Sequence, residues 1–323
     1  MTPEQLRELR DGLPAYAQAG EPTPLQRVFC QYYGIDFVAN YPGLQYRLGT
    51  VQSGAFSVAM HSWLQEGASS NLLLVHGYFD HSGLFGKLIE HGLRRNCNVV
   101  IFDLPGHGLS SGEPAVIDDF ADYSRAIHAV LEAVQWPQLP LWVMAQSTGC
   151  AALVEYTRHY PWPFAATVLL APLVRPMGWK GGRMAHSIVR HFVDSIERKF
   201  TSNSSDPDFL EVLKSDPLQS RRLPVRWVTA LRAWLAALPA ANLVVGKALI
   251  VQGDADQTVD WHFNLEFYQI LFPGSEVVML PGAGHQLANE STRLRQSYLA
   301  RVDAWIAEQG LPAHTIEAPV PLG

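Results

Sequence analysis

The sequence predicts an α/β fold: a mostly parallel central sheet with helices on both faces, an antiparallel hairpin at its start and a helical insertion late in the chain. Three observations lead there. Short runs rich in Val, Leu and Ile alternate with longer stretches of helical periodicity. The runs are mostly continuous stretches of apolar residues, as strands buried on both faces are. Helical crossovers between successive runs require parallel pairing, and right-handed crossovers give a twisted sheet covered on both sides.

The elements follow in order. Residues 1–44 read as a helical extension, an amphipathic opening helix with a Pro/Gly-containing connection. Tyr46 to Thr50 and Phe56 to Trp63 read as two short strands joined at Ser53-Gly54, a hairpin. Further strands are expected at Asn71 to Val75, Asn98 to Leu104, Leu141 to Ala145, Ala166 to Ala171, Lys247 to Gln252 and Glu276 to Leu280. Helical periodicity covers 84–95, 118–134, 148–160, 260–271 and 291–309. The core domain thus comprises 45–172 and 247–310. Segment 173–246 breaks the alternation and reads as a helical cap, or lid, at the ligand end of the sheet. It carries Met184, Ile188, Phe192 and Ile196 at four-residue spacing, a polar stretch at 202–208, and a second helical stretch from Trp227 to Leu238. Residues 311–323 read as a flexible tail.

Composition narrows the function classes. With 48% hydrophobic and 17% charged residues, 323 residues can bury a large core. A net charge of -6 supplies no field that would recruit nucleic acid. The polar start and the lack of a long apolar run read as a soluble, cytoplasmic protein. Cys30, Cys97 and Cys150 are too few and too scattered for a disulfide framework or a zinc site.

Three strand ends carry chemistry. In Ala145-Gln146-Ser147-Thr148-Gly149 an apolar strand runs into Ser147 and a helix follows at once. That is the context of a nucleophile elbow, where strand and helix pass so closely that the flanking residues must be small. In His76-Gly77-Tyr78-Phe79-Asp80-His81-Ser82-Gly83 a strand ends in a glycine turn able to aim backbone N–H groups. Tyr78 and Thr148 are the candidate oxyanion donors, whereas His76, His81 and Ser82 read as loop braces. Late in the chain, Gln252-Gly253-Asp254-Ala255-Asp256 and Pro281-Gly282-Ala283-Gly284-His285 each follow a strand. They offer the carboxylate and imidazole that a serine hydroxyl needs as a nucleophile. His285 is the candidate base; Asp254, Asp256 and Asp260 compete for the acid, and spacing does not separate the first two.

Together these motifs resemble the α/β-hydrolase superfamily, and within it the monoacylglycerol lipase, lysophospholipase and serine-aminopeptidase-like hydrolases. The resemblance covers residues 45–310. It rests on His76-Gly77 with His81-Ser82-Gly83, Asp103-Leu104-Pro105-Gly106-His107-Gly108-Leu109-Ser110, the elbow at Ser147, Gln252-Gly253-x-x-Asp256, and Gly284-His285. It implies Asp256 as the acid, a mobile cap between the sixth and seventh core strands, and an architectural role for Asp103 to Ser110. Ala145 departs from the expected glycine and Cys150 from a second small residue, often glycine, and Cys150 reads as packing beneath the elbow.

The implied activity is carboxylic ester hydrolysis through an acyl-enzyme, on an acyl glycerol or lysophospholipid-like small molecule, needing no metal or organic cofactor. Trp179, Phe192, Phe200, Trp227 and Trp234 could line an acyl pocket or simply pack the cap onto the core. The cap's eleven Lys/Arg against six Asp/Glu favour an anionic headgroup or transient contact with a membrane surface, or form a solvated face. Two alternatives stand beside this reading: a serine aminopeptidase, which needs acidic cap residues to hold an ammonium group, and a non-catalytic ligand-binding protein on the same fold.

Overall fold

A computed structural model of the chain describes residues 1–190, 192–198, 203–238 and 245–312. The ten strands are β1 (Gln45–Ser53), β2 (Phe56–Leu64), β3 (Ser70–Val75), β4 (Cys97–Phe102), β5 (Leu141–Gln146), β6 (Ala166–Leu170), β7 (Ser195–Glu197), β8 (Arg222–Pro224), β9 (Leu249–Gly253) and β10 (Glu276–Leu280). Eight of them form one sheet in the order β1-β2-β4-β3-β5-β6-β9-β10. β1 and β2 pair antiparallel, β2 meets β4 antiparallel, and every pairing from β4 onward is parallel. The α/β expectation holds. The hairpin strands are nine residues each, longer than expected, because the register continues without a break from Gln45↔Leu64 to Ser53↔Phe56.

Alternation along the strands divides the core in two. Leu72, Leu74, Val99, Ile101, Trp142 and Met144 face one cluster, and Leu73, Val75, Val100, Phe102, Val143 and Ala145 face the other. That is the period-two geometry of a pleated strand whose faces are both buried. The first cluster is closed by α1 (Pro3–Asp11), α2 (Pro24–Tyr32), α3 (Gly86–Arg94) and, at the C-terminal end, the 17-residue helix Thr292–Glu308. The second is closed by α4 (Ala121–Ala133), α5 (Thr148–Thr157) and Trp261–Leu271. The N-terminal extension holds two helices rather than one. Each begins with Thr-Pro and closes a capping box, Thr2 with Gln5 and Thr23 with Gln26.

The insertion lies between β6 and β9, the sixth and seventh strands of the sheet in chain order. It contains α6 (Trp179–Val189), α7 (Pro207–Ser215), α8 (Val225–Ala237) and the antiparallel pair β7–β8. The stripe from Met184 to Ile196 is therefore not one helix: α6 ends at Val189, and Ile196 pairs with Leu223. α7 was not expected, although Asp206-Pro207 caps its start, with the Asp206 carboxylate accepting from Asp208 and Phe209 N–H. The tail expected at 311–323 lies, from residue 313 on, outside the described residues.

α8 fixes the insertion to the core through two indoles. Trp227 stacks on Tyr78 at 3.8 Å and donates to the Tyr123 hydroxyl (3.1 Å). Trp234 stacks on Phe120 at 4.8 Å and donates to the buried Glu155 carboxylate (2.9 Å). Phe192, by contrast, is 80% exposed. Trp234→Ala should lower the unfolding free energy by about 3–5 kcal/mol. Phe192→Ala should change it by less than about 0.5 kcal/mol. Urea titration of both variants checks this, and similar losses would refute the assigned anchor.

Candidate active site

Ser147 stands between β5 and α5 with φ 52° and ψ −113°, a conformation a non-glycine residue adopts only when its surroundings impose it, at about 1–3 kcal/mol. Its N–H donates to the Leu170 carbonyl (2.9 Å) and its carbonyl accepts from Leu173 N–H (3.2 Å), so the turn is held against the end of β6. A β-carbon on Gly149 would lie 2.5 Å from the Val75 carbonyl oxygen and 2.7 Å from that of His76. Ala145, with its one methyl group, fits in the core. Cys150 is buried, its thiol donates to the Ala145 carbonyl (3.2 Å), and burial pushes it well above the ordinary thiol range. It packs under the turn and is poorly suited to nucleophilic chemistry.

The structure brings Ser147, His285 and Asp256 together. His285 Nε2 is 2.9 Å from Ser147 Oγ, and its Nδ1 is 2.7 Å from Asp256 Oδ2. An ionised carboxylate can only accept, so Nδ1 carries the proton and Nε2 of the neutral ring accepts from the serine hydroxyl. Asp256 is held in turn: Oδ1 accepts from Thr258 N–H (2.7 Å) and Val259 N–H (3.2 Å), and Oδ2 accepts from Gln252 Nε2 (3.1 Å). Burial works against its ionisation, but the interaction with His285 and these hydrogen bonds outweigh it, and the carboxyl lies below its ordinary value. Asp254 faces elsewhere, bracing a turn by accepting from Gly282 N–H (2.7 Å). Asp260 stands at the start of the helix Trp261–Leu271.

Tyr78 and Thr148 line the same cavity as Ser147 and His285. Thr148 opens α5, so its N–H has no acceptor within the helix. Tyr78 lies in a turn closed by Asp80 N–H donating to the Gly77 carbonyl (3.1 Å), with its hydroxyl fixed on the Ala115 carbonyl (2.7 Å). Asp103 is buried and accepts from Ser82 and Leu109 N–H, each at 2.7 Å, tying two loops below the site. His76 Nε2 accepts from Leu104 N–H (2.9 Å), and His81 Nε2 donates to Asp216 of the insertion (2.7 Å). Among the described residues, no group of three or more His, Cys, Asp and Glu has the arrangement of a metal site.

Three residues here were not picked out from sequence. Gln286 Nε2 donates to Asp80 Oδ1 (3.0 Å), and Gln146 Nε2 donates to Gln286 Oε1 (2.7 Å). Gln146 Oε1 accepts from Ala288 N–H (2.8 Å). The neighbours of Ser147 and His285 are thereby joined through a buried network. Burial pushes the Asp80 carboxyl above its ordinary value, against the pull of Arg198 and the Gln286 hydrogen bond. The one available signal was adjacency: Gln146 precedes Ser147 and Gln286 follows His285.

The cavity over Ser147 measures about 420 Å³. Leu173, Ile196, Leu213, Leu223, Trp227 and Val259 give it an apolar wall; Glu197, Arg198 and Asn203 lie at its polar side. Of the five aromatics expected in the insertion, Trp227 lines the cavity, Trp234 is buried against the core and Trp179 packs at its edge. Phe192 points outward and Phe200 lies outside the described residues.

This strand order, with a serine on a strained strand-to-helix turn, defines an α/β-hydrolase. The chain belongs to the Hydrolase_4 family, described as serine aminopeptidase, S33, with residues 67–292 matched. It is similar to the monoglyceride lipase of Homo sapiens, at 24% identity over 80% of this chain and 89% of that one. A phospholipase of Bacillus subtilis is 21% identical over 72% of this chain and 94% of its own. The crystal structure of a soluble variant of monoglyceride lipase from Saccharomyces cerevisiae, in complex with a substrate analogue, shares the fold. Its TM-score is 0.71 at 18% identity, over 86% of this chain and 98% of that one.

Buried histidines of the core make stability depend on pH. His61, His76 and His107 are buried, and burial first of all pushes them down to about 4, 3 and 4. Each is neutral when folded and takes up a proton on unfolding below the ordinary value of 6.5. Their contribution is therefore full above that pH and declines as pH falls towards 4, by about 1 kcal/mol per pH unit for each ring. Urea midpoints between pH 6.5 and 4.5 should fall steeply, and His107→Gln should make that slope about a third shallower. An unchanged slope in the variant would refute the account.

Proposed function

We propose that the chain is a serine hydrolase that cleaves carboxylic esters of the acyl glycerol or lysophospholipid type through an acyl-enzyme intermediate. The observation that carries this reading is the His285 ring bridging Ser147 Oγ and Asp256 Oδ2. The Ser147 hydroxyl attacks the acyl carbonyl and passes its proton to His285 Nε2, while Asp256 orients the ring and stabilises the imidazolium. The N–H groups of Tyr78 and Thr148 receive the oxyanion. His285 then gives its proton to the departing alcohol. Water, deprotonated by the same nitrogen, attacks the acyl-serine and frees the carboxylic acid and Ser147.

Segment 173–246 acts as a cap in this reading. Its residues supply much of the cavity's apolar wall, which suits an acyl chain, and known relatives include a monoglyceride lipase and a phospholipase. Met184 and Phe192 are exposed on the cap and suit transient contact with a membrane surface. Arg198 at the cavity wall favours a phosphate-bearing headgroup, whereas Glu197 beside it is the feature an aminopeptidase would use for a substrate ammonium.

A substrate panel separates these readings: monoacylglycerols and lysophospholipids of varied chain length, and aminoacyl amides. Acyl-ester turnover with fluorophosphonate labelling, both lost in Ser147→Ala, is the expected result. Absence of labelling would favour a ligand-binding protein, and equal turnover of neutral and phosphate-bearing esters would remove the headgroup preference. Asp256→Asn should lower kcat by about 10⁴, since the ring loses its proper tautomer. Asp254→Asn should stay within about threefold, the ordinary range for a residue that does not touch the reacting groups. Reversed effects would move the acid role to Asp254.

A further inference from the structure

Phe79 follows the candidate oxyanion donor Tyr78 and has φ 68°. It is the third residue of the turn Gly77 to Asp80, a position that glycine or asparagine fills when φ is positive. A bulky aromatic does not take this backbone unaided. Contacts that hold it come from two places in the insertion. Gln219 Nε2 donates to the Phe79 carbonyl (2.5 Å), and the Arg198 guanidinium lies over the Phe79 ring at 4.0 Å. Arg198 also donates to Gln219 Oε1 (2.6 Å), so the amide is fixed at both ends. Two residues further along the loop, His81 donates to Asp216 Oδ2 (2.7 Å), while the Tyr33 hydroxyl donates to Oδ1 (2.8 Å).

We propose that Gln219 is a positioning residue that couples seating of the cap to assembly of the oxyanion-binding turn. The inference rests on the serine hydrolase reading. With the cap seated, Gln219 holds Phe79 in its left-handed conformation and Tyr78 N–H is aimed at the substrate's carbonyl oxygen. With the cap displaced, Phe79 relaxes to negative φ and the turn loses that aim. Ser147 and His285 stay where β5, α5 and Asp256 hold them. Reaction is thus confined to the closed state without any movement of nucleophile or base.

The test is a double-mutant cycle between Gln219 and Phe79, after fluorophosphonate labelling of the unaltered chain. Gln219→Ala should lower kcat about 10–100-fold with KM nearly unchanged, part of the 10²–10³ lost with an oxyanion donor. Its affinity for an alkyl boronic acid, whose tetrahedral adduct needs the same donors, should fall in parallel. In a Phe79→Asn background, where the left-handed backbone is accessible, Gln219→Ala should cost no more than about threefold, since the strain it opposed is gone. A purely structural Gln219 would lower Tm without this rescue. The coupling is overturned if the unaltered chain labels but Gln219→Ala keeps its kcat and boronate affinity, or if the loss is equal in both backgrounds. Failure of the unaltered chain to label overturns the hydrolase reading itself.

Discussion

The start of α5 lies so close to the end of β3 that a single β-carbon on residue 149 would meet two carbonyl oxygens below van der Waals distance. Much of the site follows from that approach. It forces Ser147 onto a turn with positive φ, which lifts the hydroxyl clear of the strand. It also sets the first N–H of α5 beside the glycine turn that leaves β3, so donors from two distant segments face one cavity. A β-carbon on Gly77 would stand 3.2 Å from that of Ser147, which measures how near the two turns are. Parallel pairing of β3 with β5 makes this possible, because both strands end at the same edge of the sheet.

Loops packed this tightly bury polar groups that must find partners. Asp103 accepts two backbone N–H groups, His76 bonds on both ring nitrogens, and the Asp80, Gln146 and Gln286 side chains satisfy one another. These bonds carry no chemistry, yet they set where the serine and the imidazole stand. The same burial keeps the histidines beneath the site neutral, so the rigidity of the loops and their sensitivity to acid have one cause.

The parallel strands were legible because both their faces are apolar, which leaves a continuous hydrophobic run between turn residues. Ser147, His285 and the pair Asp254/Asp256 were legible because each follows such a run. Spacing could not separate the two aspartates: both follow β9, and the distinction lies in which carboxylate turns toward the imidazole. Thr23-Pro24-Leu25-Gln26 repeats the capping signature at Thr2, a local signal for the second helix. The insertion is the least legible part. A four-residue spacing from Met184 to Ile196 looks helical in isolation, and pairing of Ile196 with Leu223 ends it through a partner 27 positions away. The contacts of Gln219 and Asp216 with the glycine turn are of the same kind, made across more than a hundred residues and with no local pattern.

The insertion also divides mechanically. α8 is joined to the core by Trp227 and Trp234, whose indoles combine apolar burial with a satisfied N–H. α6 presents Met184 to solvent, and Phe192, beyond its end, is exposed as well. Burial of apolar area sets the cost of moving a segment, so α8 is firmly held to the core. Arg198 follows directly after β7, while Gln219 and Asp216 lie between α7 and β8 and bond to Phe79 of the glycine turn and to His81 just beyond it. The Arg198–Gln219 bond therefore links the end of β7 to the glycine turn, and the indole anchors hold Trp227 in the cavity's inner wall.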